Sequence, residues 1–73
     1  MQWVKFQGEY INPQRIDSIS ALDARPGIYS EFTVRMASGN LRFKSTSDQP
    51  DAVITFGKQY KQLLDDIAKA LEA

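Results

Sequence analysis

The chain has 73 residues, with nine basic and nine acidic side chains and a formal net charge of zero. It contains no histidine and no cysteine, which excludes imidazole general-base catalysis, thiolate nucleophiles, disulfides and ordinary zinc sites. We expect one domain that spans residues 1–73, with a core so small that self-association would be a natural source of extra stability. The balanced charge does not indicate a polyanion-binding protein.

The amino-terminal segment predicts two short strands. Val4 and Phe6 alternate with Trp3, Lys5 and Gln7, as in a strand with one half-exposed face. A two-residue turn at Gly8-Glu9 is expected to lead into a second extended segment at residues 10–12. Pro13 then interrupts the ladder because it has no N–H group to donate.

A third extended segment is expected over residues 15–22. Ile16 and Ile19 are three positions apart, which breaks the two-residue period of a regular strand. Either a bulge restores the phase or the segment is partly irregular. A loop follows at residues 23–27, in which Pro26-Gly27 suits the central positions of a type II turn.

The clearest hairpin is predicted for residues 31–44, where apolar and polar residues alternate on both sides of a loop. A two-residue loop at Ser38-Gly39 or at Gly39-Asn40 keeps both apolar rows on one face. These alternatives pair Phe43 with Val34 or with Met36. The apolar rows are Phe32, Val34 and Met36, and then Leu41 and Phe43.

The carboxy-terminal segment has the strongest pattern in the chain. Its apolar side chains recur within an arc of about 100° on a helical wheel, as in an amphipathic helix that faces a core. They are Val53, Phe56, Tyr60, Leu63, Leu64, Ile67 and Leu71. Ser47 and Asp48 suit the N-cap, and Pro50 suits the first turn.

An alternative for this segment is a short strand over residues 52–56 that ends at Gly57, with the helix beginning at Lys58. Three consecutive β-branched residues favour it. The apolar period continues without a break from Val53 to Leu71, which favours one continuous helix.

Together these elements predict a two-layer α+β domain, in which a four- to five-stranded antiparallel meander sheet is followed by one long C-terminal helix packed on one face. A helix of about 24 residues is roughly 36 Å long and would overhang a four-stranded sheet only about 19 Å wide. Overhanging apolar side chains need a partner, so we expect a homodimer. The candidate dimer surface comprises Phe56, Tyr60, Leu64, Ile67 and Leu71.

The outer face of the sheet is a candidate ligand or nucleic-acid surface, which comprises Trp3, Lys5, Arg35, Arg42 and Lys44. Cations beside an aromatic ring on a sheet are typical of single-strand nucleic-acid platforms. Zero net charge and few aromatic residues favour instead a solvated face, on which edge cations prevent aggregation.

Nothing in the sequence indicates an enzyme, a metal site or a cofactor. Asp65-Asp66 is the only adjacent carboxylate pair, and on a helix its members point about 100° apart on the solvent side. No glycine-rich phosphate loop is present. We therefore predict no catalytic, cofactor-binding or metal-binding residues.

The phrase Ile11-Asn12-Pro13, followed by Ile16 and Ile19, resembles the opening of small bacterial proteins of the flagellar FlbD type. In these proteins a strand and this phrase lead to a hairpin and a C-terminal helix. The present chain has a longer loop at residues 23–27 and a longer helix. The resemblance implies a non-enzymatic accessory protein that acts by contact. The order of strands and helix is also similar to that of single-strand-binding coactivators that dimerise through such helices.

No apolar run approaches the roughly 20 residues that would span a bilayer, and the first residues lack the apolar core of a signal peptide. The sequence thus predicts a small, non-catalytic cytoplasmic protein that acts by protein–protein contact or homodimerisation. The alternative is a nucleic-acid-binding module that uses the outer sheet face.

Overall fold

The computed structural model describes residues 2–23 and 29–72 of the chain. These residues form five antiparallel strands followed by one long helix, which confirms the predicted α+β class. The elements are β1 (Val4–Phe6), β2 (Glu9–Ile11), a 3-10 helix (Pro13–Arg15), β3 (Ile16–Ile19), β4 (Glu31–Met36), β5 (Leu41–Lys44) and α1 (Pro50–Glu72). The turn predicted at Pro26-Gly27 lies outside the described residues.

Helix α1 is continuous, so the alternative of a strand over residues 52–56 is wrong. The Ser47 hydroxyl accepts a hydrogen bond from the Gln49 amide at 3.2 Å, and Pro50 occupies the first helical position. Asp51 places negative charge in the first turn, where the helix dipole favours it. The β-branched residues are tolerated because the helical period brings Phe56 into the core, whereas Ile54 is left exposed as its wheel position predicts.

The five strands divide into a two-stranded sheet, β1-β2, and a three-stranded sheet, β3-β4-β5. The break occurs at Pro13, which has no N–H group and begins the 3-10 helix. Asn12 closes this turn, because its side-chain oxygen accepts from the Gln14 amide at 3.1 Å and its carbonyl accepts from the Arg15 amide at 3.0 Å. The expected meander is therefore split after its second strand.

The turn between β1 and β2 lies one residue earlier than expected. Phe6 pairs with Glu9, so the two-residue loop is Gln7-Gly8 and not Gly8-Glu9. Both loop residues have positive φ, 49° for Gln7 and 83° for Gly8. A type I′ turn requires this conformation at both central positions and favours glycine at the second.

The register of the β4-β5 hairpin also differs from the prediction. Phe43 pairs with Phe32, so neither expected partner, Val34 or Met36, is correct. The turn is closed by the Gly39 amide, which donates to the Met36 carbonyl at 3.1 Å. A shift by an even number of residues leaves every side chain on its predicted face, which is why sequence alternation alone could not detect it.

The predicted irregularity in β3 is confirmed as a bulge. Ile16 pairs with Met36, whereas Ser18 pairs with the adjacent residue, Arg35. One extra residue on β3 is therefore accommodated between these pairs, which restores the phase of Ile19 opposite Val34.

The core is a cluster of aromatic rings between both sheets and the helix. The Phe6 ring lies 5.5 Å from Phe32, 5.0 Å from Phe43 and 6.0 Å from Phe56, centroid to centroid and edge to face in each case. Such geometry aligns the positive edge of one ring with the negative face of another. Leu63 and Ile67 extend the buried row of α1 beyond the rings. The buried apolar residues are Val4, Phe6, Ile11, Phe32, Val34, Phe43, Phe56, Leu63 and Ile67.

We predict that Leu63→Ala or Phe43→Ala lowers the free energy of unfolding by about 2–5 kcal/mol, because each removes a buried side chain and leaves a cavity. Ile54→Ala is the matched control on the same helix, and it should cost less than about 0.5 kcal/mol because Ile54 is exposed. Urea denaturation measures all three. Losses below about 0.5 kcal/mol at both Leu63 and Phe43 would show that the core lies elsewhere.

A second prediction concerns Gly57, which lies inside α1. Among the described residues, a β-carbon at this position would meet only the Leu22 side chain, at an ordinary contact distance of 3.7 Å. Gly57→Ala should therefore raise the free energy of unfolding by about 0.5–1 kcal/mol, the difference in helix propensity. In the same assay Gly8→Ala should be destabilising, because its φ of 83° is unfavourable for alanine. A destabilised Gly57→Ala protein would contradict a continuous, unstrained α1.

Candidate functional site

The basic side chains of the three-stranded sheet do not form an unopposed positive surface. On β5, Arg42 and Lys44 lie on either side of the buried Phe43. On the neighbouring strand β4, Thr33 pairs with Arg42 and Glu31 pairs with Lys44. The Glu31 carboxylate is 3.5 Å from the Arg42 guanidinium and belongs to the residue paired with Lys44. Glu31 thus pairs with Arg42 and lies opposite Lys44 in the strand register, so the charge on this face is mixed.

The predicted outer surface is divided between the two sheets. Arg35, Arg42 and Lys44 belong to the three-stranded sheet, whereas Lys5 lies on β1 of the two-stranded sheet and Trp3 immediately precedes it. The structure thus does not join the five residues into one continuous strand surface. Instead, the Lys5 ammonium lies 5.5 Å from the centre of the Tyr10 ring, a cation–π arrangement across the β1-β2 pair.

The candidate dimer surface on α1 is largely used inside the domain. Phe56 and Ile67 are buried in the core and are unavailable to a second copy, which corrects their assignment to an interface. The Tyr60 ring packs 4.7 Å from Phe32, centroid to centroid. Leu64 remains 37% exposed and Leu71 54% exposed. The centre of the apolar stripe faces the sheets, and these two leucines on its flank are its exposed members.

The Tyr60 hydroxyl joins the helix to the segment that follows β3. It donates a hydrogen bond of 2.9 Å to the Ser20 carbonyl. The Ser20 hydroxyl in turn accepts from the Thr33 amide at 2.8 Å. These bonds fix the position of Tyr60, so its side chain is a structural part of the domain.

A groove of about 620 Å³ lies between β2 and the β4-β5 turn, next to exposed aromatic side chains, and we call it the Trp3 groove. Trp3 and Tyr10 are 59% and 65% exposed there, and Met36 and Leu41 are half-buried. The groove is lined by Trp3, Glu9, Tyr10, Asn12, Arg15, Met36, Ser38, Gly39, Asn40 and Leu41. An exposed apolar surface of this kind beside polar residues is typical of a binding site.

Strand alternation explains why two aromatic rings are left in solvent. Val4 and Ile11 point into the core, so their neighbours Trp3 and Tyr10 point to the opposite face of the two-stranded sheet. Sequence reasoning identified Trp3 but missed Tyr10. The signal was present, because Tyr10 precedes the apolar Ile11 in a strand where successive side chains alternate.

The remaining groove residues could not be found from local patterns. Met36 and Leu41 were correctly placed in the apolar rows of the hairpin, but both lie near its turn, where the helix does not cover them completely. Arg15 enters the groove because the 3-10 helix redirects the chain after β2. Its place beside Trp3 follows from the relative position of two sheets, which no local pattern encodes.

The chemistry available in the groove is that of binding. Among the described residues that line it, Glu9 is the one carboxylate and Arg15 the one guanidinium, and the Asn12 side chain is used to close the 3-10 helix. These described residues therefore include no pair of carboxylates for acid–base catalysis. Within residues 2–23 and 29–72, no three metal-binding side chains are placed to hold an ion.

Comparison with protein-family models, with curated proteins and with solved structures finds no match. The resemblance to proteins of the flagellar FlbD type therefore stays a prediction from Ile11, Asn12, Pro13, Ile16 and Ile19. In the part of the chain that the structure describes, no helix has the length and apolar character required to cross a membrane.

Proposed function

We propose that this chain is a non-catalytic binding module that acts in the cytoplasm by contact with another protein, and that the Trp3 groove is its contact surface. The observation that carries the proposal is the exposure of Trp3 and Tyr10 beside Met36 and Leu41. Tryptophan, tyrosine and methionine are enriched in protein interfaces, where burial of their large apolar surface favours association. Trp3 is expected to be the main anchor.

Charge favours a protein partner over a nucleic acid. A polyanion is bound by cations that are free to neutralise its phosphates. In the groove, Arg15 is accompanied by Glu9, and on the three-stranded sheet Glu31 lies beside Arg42. The chain as a whole carries no net charge. Apolar contact around Trp3 therefore provides the stronger basis for recognition.

We predict that a random-peptide display library yields peptides that bind the wild-type protein and depend on Trp3. Trp3→Ala should weaken the binding of a selected synthetic peptide about 30-fold or more, as expected for an interface anchor worth about 2 kcal/mol. Tyr29→Ala is the control, because Tyr29 is also exposed but does not line the groove. Its affinity should match that of the wild type. Trp3→Ala removes the only tryptophan, so a fluorescent label on the peptide reports binding to all three proteins.

The outcomes of this experiment separate the proposal from its alternative. Failure to select peptides, or equal loss of affinity in Trp3→Ala and Tyr29→Ala, would contradict the groove as a protein-binding site. Labelled single- and double-stranded oligonucleotides are titrated in parallel at low salt. Binding that weakens steeply with salt and with Arg42→Ala would support the nucleic-acid-binding module instead.

Self-association through α1 is a second candidate, which the two exposed leucines favour. Leu64 and Leu71 are separated by seven residues, about two helical turns, and so lie on the same side of the helix. Lys61 and Glu72 flank this pair on one side of the wheel. In a two-fold symmetric antiparallel helix pair, Lys61 of one copy would lie near Glu72 of the other, which makes the surface self-complementary in charge.

For this second candidate we predict a dimer in sedimentation experiments at tens of micromolar protein. Leu64→Glu and Leu71→Glu should each shift the equilibrium to monomer, because each would place a carboxylate in the apolar contact. Thr55→Glu introduces the same charge at an exposed position of α1 outside this pair and should leave the dimer intact. A wild-type monomer at these concentrations would remove the candidate.

A further inference from the structure

The outer edge of β5 has backbone groups that the sheet does not use. The Ser45 amide donates to the Ser30 carbonyl at 2.8 Å, and the Gly39 amide donates to the Met36 carbonyl at 3.1 Å. Hydrogen-bonded pairs alternate along an antiparallel ladder, so Phe43 and Leu41 bond to β4. The backbone N–H and C=O of Arg42 then point away from β4, towards the open edge.

A side chain already occupies one end of this edge. The Gln7 side-chain amide donates to the Lys44 carbonyl at 2.9 Å and thereby connects the β1-β2 turn to β5. This bond confirms the outward direction of the Lys44 carbonyl. Lys44 is the last residue of β5, and Leu41, which lines the Trp3 groove, is the first. Arg42 therefore lies between the Gln7–Lys44 bond and the groove. Among the described residues, no hydrogen bond to the Arg42 backbone lies outside the strand ladder.

The outer edge of β2 is open in the same way. The pair Phe6–Glu9 closes the two-residue loop and is hydrogen-bonded, as is Val4–Ile11 two residues further along. The backbone groups of Tyr10 therefore point away from β1. The open edges of β2 and β5 lie next to the Gln7–Lys44 hydrogen bond at one end. At the other end both strands contribute residues to the Trp3 groove.

We propose that the partner binds the Trp3 groove as an extended segment that adds a β-strand to the free edge of β5 at Arg42. This inference rests on the proposed function and specifies the form of the ligand. Unpaired strand edges are templates for an additional strand, and main-chain hydrogen bonds then supply affinity while alternate side chains supply specificity.

The side chains around the groove indicate an occupant that alternates apolar and acidic residues. Side chains of the added strand that lie on the same face as Leu41 would enter the apolar part of the groove, beside Met36 and Trp3. Side chains on the opposite face would lie next to Arg42 and Lys44, the cations of β5. Opposite charges on neighbouring strands are stabilising and like charges are destabilising, so aspartate or glutamate is favoured there over lysine or arginine.

The test uses the tightest synthetic peptide obtained from the display selection, N-methylated at one backbone nitrogen at a time. An added strand bonds through the residue opposite Arg42, so N-methylation at that position should weaken binding about tenfold, and N-methylation at the positions on either side of it should weaken binding less than about threefold. Replacement of the peptide's acidic residues by lysine should also weaken binding about tenfold.

Two variants of the protein provide the matched comparison. Arg42→Pro removes the outward N–H and should weaken peptide binding about tenfold, whereas Arg42→Ala keeps this N–H and should retain most of the backbone-dependent affinity. Thermal unfolding establishes whether the Arg42→Pro protein is folded. If it is unfolded, the N-methyl series alone tests strand addition.

Peptides that depend on Trp3 but show no alternation on N-methylation would overturn strand addition and leave the protein-binding groove in place. A period of three or four would indicate a bound helix and would likewise overturn it. Selection of no peptide that depends on Trp3 would remove the proposed function, and this inference with it.

Discussion

The packing of the buried row of α1 against the phenylalanine cluster is the interaction on which the rest of the structure depends. The two sheets are separate, and among the described residues they are connected by the 3-10 helix and by the Gln7–Lys44 hydrogen bond. Phe56 contacts Phe6 of one sheet and Phe32 of the other, so one helical side chain holds both against a common core. A domain this small depends on a few such residues because its apolar core is limited.

The same arrangement determines which surfaces remain open. The centre of the helical stripe is directed at the core, which leaves Leu64 and Leu71 on its flank. The 3-10 helix prevents β2 and β3 from continuing as one meander, so β2 retains an outer edge, and β5 has one because it is the last strand of its sheet. Natural proteins protect such edges with charged side chains, and Arg42 and Lys44 do this on β5. These cations oppose the pairing of other basic strands with β5, but they still allow a strand of opposite charge to pair with it.

The distribution of polar groups explains why we favour recognition by contact over catalysis or nucleic-acid binding. The absence of histidine and cysteine from the sequence removes the side chains most often used for nucleophilic and general-base chemistry near neutral pH. Cations are present on the sheets, but Glu31 and Glu9 lie among them. The groove places two exposed aromatic rings beside strand edges, and aromatic residues are enriched in protein interfaces.

The sequence by itself determined the order of the strands and the final helix and the face that each strand buries, and it favoured a continuous helix over a strand at residues 52–56. These features follow from periods of two and about 3.6 residues, together with local signals such as Pro13 and Ser47. It also allowed the bulge near Ile16 to be expected, because a phase error is visible in the pattern.

Tertiary structure alone decided the hairpin register, the division into two sheets and the position of the groove. A shift of two residues changes the partner of Phe43 without changing its face, so alternation carries no information about it. The helical stripe includes Phe56, Ile67, Leu64 and Leu71 alike, but burial against the sheets removes the first two from any surface. Trp3 and Leu41 meet at one groove because two separate hairpins pack on a shared helix, and long-range packing of this kind leaves no periodic signal in the chain.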